Sequence, residues 1–171
     1  MGIGLYDISS GQHMSFTSSQ APYRFAPHIA EGRIVYHIRD ARSSSSATYS
    51  ELRYMDLDSL GVDQIPSFVR GLSCTKMSGP RVGGKEGRYI LFTGVGCKGL
   101  PAISLLLGDE VSGKVYFVDE LSYEMDTNDH RVPYDIHENV VVYVKDWLPH
   151  YRDWGRDYQA IVVYEFDESQ M

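Results

Sequence analysis

The hydrophobic residues of this chain fall into short runs rich in valine, isoleucine, leucine and tyrosine, and Gly, Pro, Ser and Asp separate the runs. Three runs resemble one another, over residues 32–40, 87–93 and 139–146, and each begins with Gly or Asn. A proline precedes each of them, as Pro27, Pro80 and Pro133. Such runs are typical of β-strands, and the chain has no convincing helical period over about eleven or more residues. The pattern therefore predicts an all-β protein.

The similar runs recur about every 50 residues, which is a period typical of repeat architectures. Each copy contains a short strand at the proline, a turn, the central run, a loop and a later strand that ends in acidic residues. That later strand lies at 52–59 and 161–168, and its nearest counterpart in the middle copy is 115–120, after an additional strand at 103–107. The central runs are almost entirely apolar, so we expect them to be covered on both faces.

Four antiparallel strands at this period describe a blade of a β-propeller better than a strand pair of a β-sandwich. We therefore predict a single all-β domain over residues 1–171, built from propeller-like blades. Its repeats cover approximately 22–71, 72–125 and 126–171, and the N-terminal strand 3–10 completes a blade. The alternative is a β-sandwich in which the repeat is an accident of strand composition.

The first copy resembles the TolB-type six-bladed β-propeller repeat. The resemblance lies in Pro27-His28-Ile29, in Gly32-Arg33-Ile34-Val35-Tyr36 with the following Arg39-Asp40, and in the segment LRYMDLDS at 52–59. The segment LYDISSG at 5–11 matches the last part of a preceding blade. The second copy departs by a longer first turn at 83–86, and in the third Lys145-Asp146 is one residue out of step. The resemblance implies a scaffold for protein interactions.

Propellers close with roughly four to eight blades, and this chain contains about three and an N-terminal strand or two. An unclosed set would leave sheet edges exposed, which favours pairing. We therefore expect the chain to be part of a larger propeller or to associate. One possibility is a homodimer with six blades, in which each N-terminal strand completes the last blade of the other chain.

Charge restricts the possible partners. The net charge is −7 and the pI is about 5.3, so the long-range field repels nucleic acids and anionic membranes. No apolar segment reaches the roughly 18 residues that a membrane span needs. Residues 1–7 lack the basic and apolar regions of a signal peptide. We therefore expect no nucleic acid and no membrane span, and either a cytoplasmic protein or a mature or fragment form of an exported one.

Cys74 and Cys97 are the only cysteines. They have neither the spacing of a zinc site nor that of a C-x-x-C redox pair. A bridge between neighbouring strands is possible, but the sequence does not supply the distance that a disulfide requires. The sequence leaves the state of these thiols open.

The loops that follow the three central strands are predicted to share one face, and they cover 41–49, 94–101 and 147–158. The last loop is the most unusual segment, because it contains both tryptophans, two tyrosines and two arginines. These residue types dominate interaction hot spots, since they combine large rigid area with directed hydrogen bonds. One interpretation is that the aromatics only fold the loop onto the sheet; the other is a binding surface formed by Trp147, His150, Tyr151, Arg152, Trp154, Arg156 and Tyr158.

Motifs for catalysis are missing from the sequence. It contains no Gly-x-Ser-x-Gly elbow, no phosphate-binding glycine-rich loop before a helix and no His-Glu-x-x-His motif. We therefore predict no catalytic residues, no metal site and no cofactor, and the sequence favours a non-enzymatic protein without deciding the question. The predicted function is binding of a protein or peptide, or self-association, through the loop face. The alternative is a carbohydrate-binding module or a glycoside hydrolase-like propeller, with Trp147 and Trp154 stacked on sugar rings in a central pocket.

Overall fold

The computed structural model describes residues 3–16, 23–39, 50–60, 62–121, 134–146 and 159–170. Within these ranges the regular structure is almost entirely β, with short 3-10 helices at Leu57–Ser59, Ser67–Gly71, Lys85–Gly87 and Glu168–Gln170. The strands are β1 (Ile3–Asp7), β2 (Gln12–Phe16), β3 (Tyr23–Ala30), β4 (Arg33–Arg39), β5 (Ser50–Asp56), β6 (Lys76–Gly83), β7 (Tyr89–Val95), β8 (Ile103–Asp109), β9 (Val115–Glu120), β10 (Tyr134–His137), β11 (Val140–Asp146) and β12 (Gln159–Glu165). None of the described helices is both long and apolar enough to cross a membrane.

The described strands form four antiparallel sheets in chain order, which we call sheets I to IV. Sheet I is β1-β2, sheet II is β3-β4-β5, sheet III is β6-β7-β8-β9 and sheet IV is β10-β11-β12. A β-sandwich would distribute these strands over two sheets, so the fold is the predicted all-β, propeller-like arrangement of small blades.

Three separate cores join the sheets face to face. Sheets I and II bury one core, sheets II and III a second, and sheets III and IV a third, with representative pairs Ile3 and Ile34, Val35 and Phe92, and Leu91 and Val141. Because a sheet inside the stack has a neighbour on each side, its apolar residues need not alternate with polar ones. In β7, residues 89–94 are all buried, which explains the unbroken apolar run in the sequence.

The outer face of sheet IV differs from this pattern. Val142, Ile161 and Val163 lie on it and are 38%, 76% and 66% exposed. The expectation that all three central runs are covered on both faces was therefore wrong for the third copy. The physical reason is that no sheet among the described residues packs on this side of β11.

Sheet III also corrects the alignment of the middle repeat. The counterpart of β5 is β8, because Ile34 is paired with Met55 on β5 and the equivalent Ile90 is paired with Gly108 on β8. The segment 115–120 is instead an additional outer strand, β9. The sequence pattern indicated 115–120 as the counterpart of β5 because its acidic residues Asp119 and Glu120 resemble the ends of the other strands.

The first strands of sheets II and III are both interrupted just at their prolines. The ladder between β3 and β4 shifts between Phe25 and His28, and that between β6 and β7 shifts between Ser78 and Arg81. Proline lacks an N–H and favours such bulges. In β6 the freed groups bind adjacent sheets: Nδ1 of His37 accepts from the Gly79 N–H at 3.4 Å, and the Tyr134 hydroxyl donates to the Gly79 carbonyl at 2.8 Å. The bulge thus connects three sheets.

A disulfide joins Cys74 and Cys97, whose state the sequence left open. The two residues flank the open end of the β6-β7 hairpin, where Thr75 N–H donates to the Val95 carbonyl at 2.9 Å. Cys97 is buried in the core between sheets II and III. The disulfide therefore ties the connection between β7 and β8 to the start of sheet III.

Two arginine–aspartate pairs close equivalent corners of sheets II and III. Arg33 donates to Asp56 at 2.9 Å, and Arg88 donates to both carboxylate oxygens of Asp109 at 2.9 and 2.7 Å. Each arginine lies at or just before the start of the second strand, and each aspartate ends the third. The Arg88–Asp109 pair is bidentate, and bidentate pairs are strong and directional. Burial alone would raise the pKa of Asp109, but hydrogen bonds from Arg88, Ser112 and the Val111 N–H outweigh it and lower the pKa to about 2.

Replacing Val141 or Ile34 by Asp is expected to unfold the chain. Their side chains are 0% and 2% exposed, and burying an unpaired charge costs several kcal/mol, about the whole stability of a domain. Thermal unfolding followed by circular dichroism checks this. The matched control is Val163→Asp on the exposed face of β12, which should melt within a few degrees of the wild type. A folded Val141→Asp variant would contradict the assigned core.

Asp109→Asn is expected to lower the free energy of unfolding by about 2–4 kcal/mol at pH 7, because it removes the bidentate partner of Arg88 and leaves that charge only the longer contact with Glu168 at 3.9 Å. The pKa of Asp109 in the folded state, about 2, lies below the ordinary value of 3.8. The carboxylate therefore stabilises the fold fully above about pH 4, and its contribution is lost as the pH falls towards 2. Denaturant titrations from pH 7 to 2 should show the difference between variant and wild type shrinking over this window, whereas the exposed control Asp58→Asn should show no comparable difference at any pH.

Candidate functional site

Polar side chains gather along the edge where the first strands of sheets II, III and IV lie side by side. His28, Arg81 and Asp135 occupy equivalent positions in the first strands of their sheets. Each directly precedes the residue that pairs with a core residue of the second strand. That core residue is Ile34 in sheet II, Ile90 in sheet III and Val141 in sheet IV. In propellers the innermost strands line the central channel. The three sheets thus contribute one titratable or charged residue each to the same edge, which we call the inner edge.

His28 has a defined orientation at the inner edge. Its Nδ1 accepts a hydrogen bond from the Val82 N–H of the neighbouring sheet at 3.1 Å, so in the neutral ring the proton is on Nε2. That Nε2 lies 3.7 Å from a carboxylate oxygen of Asp135. Burial lowers the pKa of His28, the Arg81 charge lowers it further and Asp135 opposes them. The net shift is downwards, so His28 is a neutral donor at pH 7.

The inner edge offers donors and an acceptor within one small area. Arg81 keeps one guanidinium nitrogen on the Pro80 carbonyl at 3.0 Å, and the Asp135 side chain is 68% exposed. Such a set is suited to holding a polar group of a ligand rather than a metal ion. The part of the chain that the structure describes contains no group of three or more His, Cys, Asp or Glu side chains able to hold a metal.

The second strands of sheets II, III and IV end on a common side of the stack. Arg33, at the start of β4, donates to the Gly87 carbonyl just before β7 at 2.9 Å, so these two strands start together. At the other end Lys145 of β11 binds Asp119 at 2.6 Å, and Asp119 lies opposite Leu105 near the start of β8. The connections that follow β4, β7 and β11 therefore leave from one face, which we call the loop face.

Only the middle connection of the loop face, 94–101, lies within the described residues. It is tightly held: Gly96 N–H donates to the Ala102 carbonyl and Lys98 N–H to the Ser73 carbonyl, both at 2.9 Å, and the disulfide passes through Cys97. The loop 41–49 lies outside the described residues. So does the predicted binding segment with Trp147, His150, Tyr151, Arg152, Trp154, Arg156 and Tyr158, and its role stays a prediction.

The base of that segment is nevertheless described. The Asp119 carboxylate accepts from Lys145 and from the Tyr143 hydroxyl at 2.7 Å, both on β11. Burial would raise the pKa of Asp119, but these two donors and the Glu120 N–H lower it, so the group is ionised at pH 7. The ion pair between Lys145 and Asp119 of the neighbouring sheet thus fixes the end of β11 just before the segment begins.

The sequence did not single out the inner edge. His28 and Arg81 directly follow Pro27 and Pro80, and Asp135 comes two residues after Pro133. Alignment of the three prolines would therefore have brought these residues close together. The signal was missed because the three residues differ in type, and a position that changes from His to Arg to Asp does not resemble a motif.

Comparison with known proteins supports the fold only. No protein-family model and no curated protein matches the sequence. Among solved structures, 82% of the chain superimposes on Pyrococcus horikoshii acylaminoacyl peptidase with a TM-score of 0.50 and 14% identity, and covers 20% of that chain. A second structure, acylaminoacyl peptidase in complex with Z-Gly-Gly-Phe-chloromethyl ketone, has a TM-score of 0.47 and 14% identity over 78% of this chain and 19% of its own.

The chain thus spans about a fifth of the length of the structures that it resembles. Acylaminoacyl peptidase has a β-propeller domain. At this low identity the similarity shows the fold alone, and it agrees with sheets I to IV as successive propeller-like blades.

Proposed function

We propose that this chain is a non-enzymatic interaction module, built from TolB-type propeller repeats, that binds a protein or peptide through the loop face. The observation that carries the proposal is the common side on which β4, β7 and β11 end, with two of these ends fixed by a disulfide and by the Lys145–Asp119 pair. Binding residues on loops that a rigid scaffold positions are a general feature of proteins.

The structural neighbour is compatible with this proposal. Its name describes it as a peptidase, and this chain covers a fifth of it. The fold alone does not identify a function for the present chain. The composition of 147–158 is what favours peptide binding. Trp and Arg are the residue types most enriched among interface hot spots.

Trp154→Ala is the test of this function. A peptide is selected from a random phage-displayed library against the wild-type chain, and its affinity is measured by fluorescence anisotropy. The variant should raise the Kd at least about tenfold, as expected for loss of a hot-spot side chain, with a melting temperature close to that of the wild type. Val111→Ala shortens an apolar side chain that is 77% exposed in the turn between β8 and β9, at the end of sheet III opposite the loop face, and should leave the Kd unchanged.

Two results would contradict the proposal. A large fall in melting temperature at unchanged affinity would mean that Trp154 only folds the loop onto the sheet. Equal loss of affinity in Trp154→Ala and Val111→Ala would place the peptide elsewhere. Titration with a panel of oligosaccharides provides a further arm, because saturable binding of a sugar that depends on Trp154 would favour the carbohydrate-binding alternative over a peptide.

A further inference from the structure

Sheet I contains the third and fourth strands of a blade. The turn between β1 and β2 repeats the turn between β8 and β9: Gly11 N–H donates to the Asp7 carbonyl at 2.8 Å, as Gly113 N–H does to that of Asp109 at 2.9 Å. The side chains follow the same rule, with Ser10 bound to Asp7 at 2.6 Å and Ser112 bound to Asp109 at 2.8 Å. Strands β1 and β2 are thus equivalent to β8 and β9.

The strands equivalent to β6 and β7 are missing from sheet I among the described residues. Sheets II, III and IV each contain such a first pair, and β1 pairs with β2 alone. The other edge of β1 therefore presents backbone donors and acceptors with no described partner. An edge of this kind is a ready site for adding a strand.

The repeat also leaves a charge without its usual counterpart. Asp56 and Asp109 each bind an arginine that lies at or just before the start of the second strand in their own sheet. Asp7 occupies the same position in sheet I, and its described side-chain partners are Ser9 and Ser10 only. Hydrogen bonds from the hydroxyls of Ser10 and Ser9 lower the pKa of Asp7 to about 2, so it carries a full negative charge at pH 7.

An apolar residue on sheet II is left uncovered at the same place. Ile29 is paired with Ile34, on the face that sheet I covers, and it is 50% exposed. Its counterparts on the next two sheets, Val82 and Ile136, are 0% and 5% exposed, because the inner strands of the preceding sheets cover them. The exposure of Ile29 follows from the missing inner pair of sheet I.

We propose that sheet I accepts a β-hairpin from a partner polypeptide, whose second strand pairs with the free edge of β1 and begins with a basic residue that binds Asp7. The first strand of the hairpin lies over Ile29. The occupant is thus defined by backbone pairing, by a positive charge at one corner and by an apolar inward face. This docking edge is separate from the loop face and does not depend on it.

The described strands of a second copy do not provide this occupant. Its three first pairs, β3-β4, β6-β7 and β10-β11, are already parts of sheets II, III and IV. Its own sheet I offers a third and a fourth strand. Sheet IV already has its third strand, β12. A blade formed by joining sheet IV to sheet I of a second copy would therefore contain two third strands. The described strands of a second copy therefore supply no first pair for sheet I.

The test uses a hairpin of known fit. A synthetic peptide with the sequence of residues 23–39, which form β3 and β4, carries a fluorophore and is titrated with the full chain, followed by anisotropy. Of its three arginines, Arg33 at the start of the β4 segment should bind Asp7. We expect saturable binding, at least about tenfold weaker when this arginine is replaced by Glu in the peptide. A peptide of the same composition in scrambled order should not bind.

Variants of the chain complete the cycle. Asp7→Asn keeps an acceptor for Ser9 and should weaken binding of the unmodified peptide several-fold. Asp7→Lys should weaken binding of that peptide more. The same variant should recover affinity for the peptide in which the arginine is replaced by Glu. The exposed control Glu120→Gln and the loop-face variant Trp154→Ala should bind the hairpin like the wild type, which separates this proposal from the loop-face function. Circular dichroism confirms that each variant is folded.

Several outcomes would overturn the proposal. One is the absence of saturable binding by the hairpin peptide. Another is equal binding by Asp7→Asn, Asp7→Lys and the wild type, which would show that the peptide binds elsewhere. Sedimentation velocity of the chain alone gives the third: a dimer that Asp7→Lys dissociates would place a second copy at this edge.

Discussion

The fold depends on one constraint, namely that each sheet must find a neighbour for both of its faces. A three- or four-stranded sheet with apolar residues on both sides would expose them to water by itself, and stacking buries both faces without closing each sheet into a barrel. Sheets II and III satisfy the constraint within the described chain, and residues 89–94 of β7 are buried throughout. The two ends of the stack do not satisfy it, and the unusual surfaces of the protein are found there.

The contacts between sheets are polar as well as apolar, and they occur where the backbone ladder is broken. The bulge at Gly79-Pro80 frees an N–H and a carbonyl that strand pairing would otherwise use, and the side chains of His37 and Tyr134 on the two neighbouring sheets bind them. Buried backbone groups require such partners. The Tyr134 hydroxyl also contacts Thr93 at 2.9 Å. The bulge therefore orients neighbouring sheets as well as bending a strand, and apolar packing alone would permit them to slide.

The sequence could predict the class and the repeated unit because both depend on local patterns. Runs such as Ile34-Val35-Tyr36 alternate between two buried faces, and the glycines and prolines beside them mark turns and bulges. Counting the strands of the middle repeat failed, because Asp119 and Glu120 resemble a strand end although they terminate an outer strand. Residues that meet through three-dimensional equivalence, as His28, Arg81 and Asp135 do, leave no such local pattern. Their proximity comes from the stacking and from the shared register after each proline.

The two ends of the stack have different chemistry, and this limits how the protein can assemble. The outward face of sheet I carries Tyr6 and His13, whereas sheet IV exposes Val142, Ile161 and Val163. Contiguous exposed apolar residues beside a strand edge favour association. In the proposed complex the hairpin at β1 is held mainly by backbone hydrogen bonds and by the charge of Asp7, whereas the exposed face of sheet IV is apolar. Because the two surfaces differ in chemistry, a hairpin that fits the edge of β1 does not fit the outer face of sheet IV.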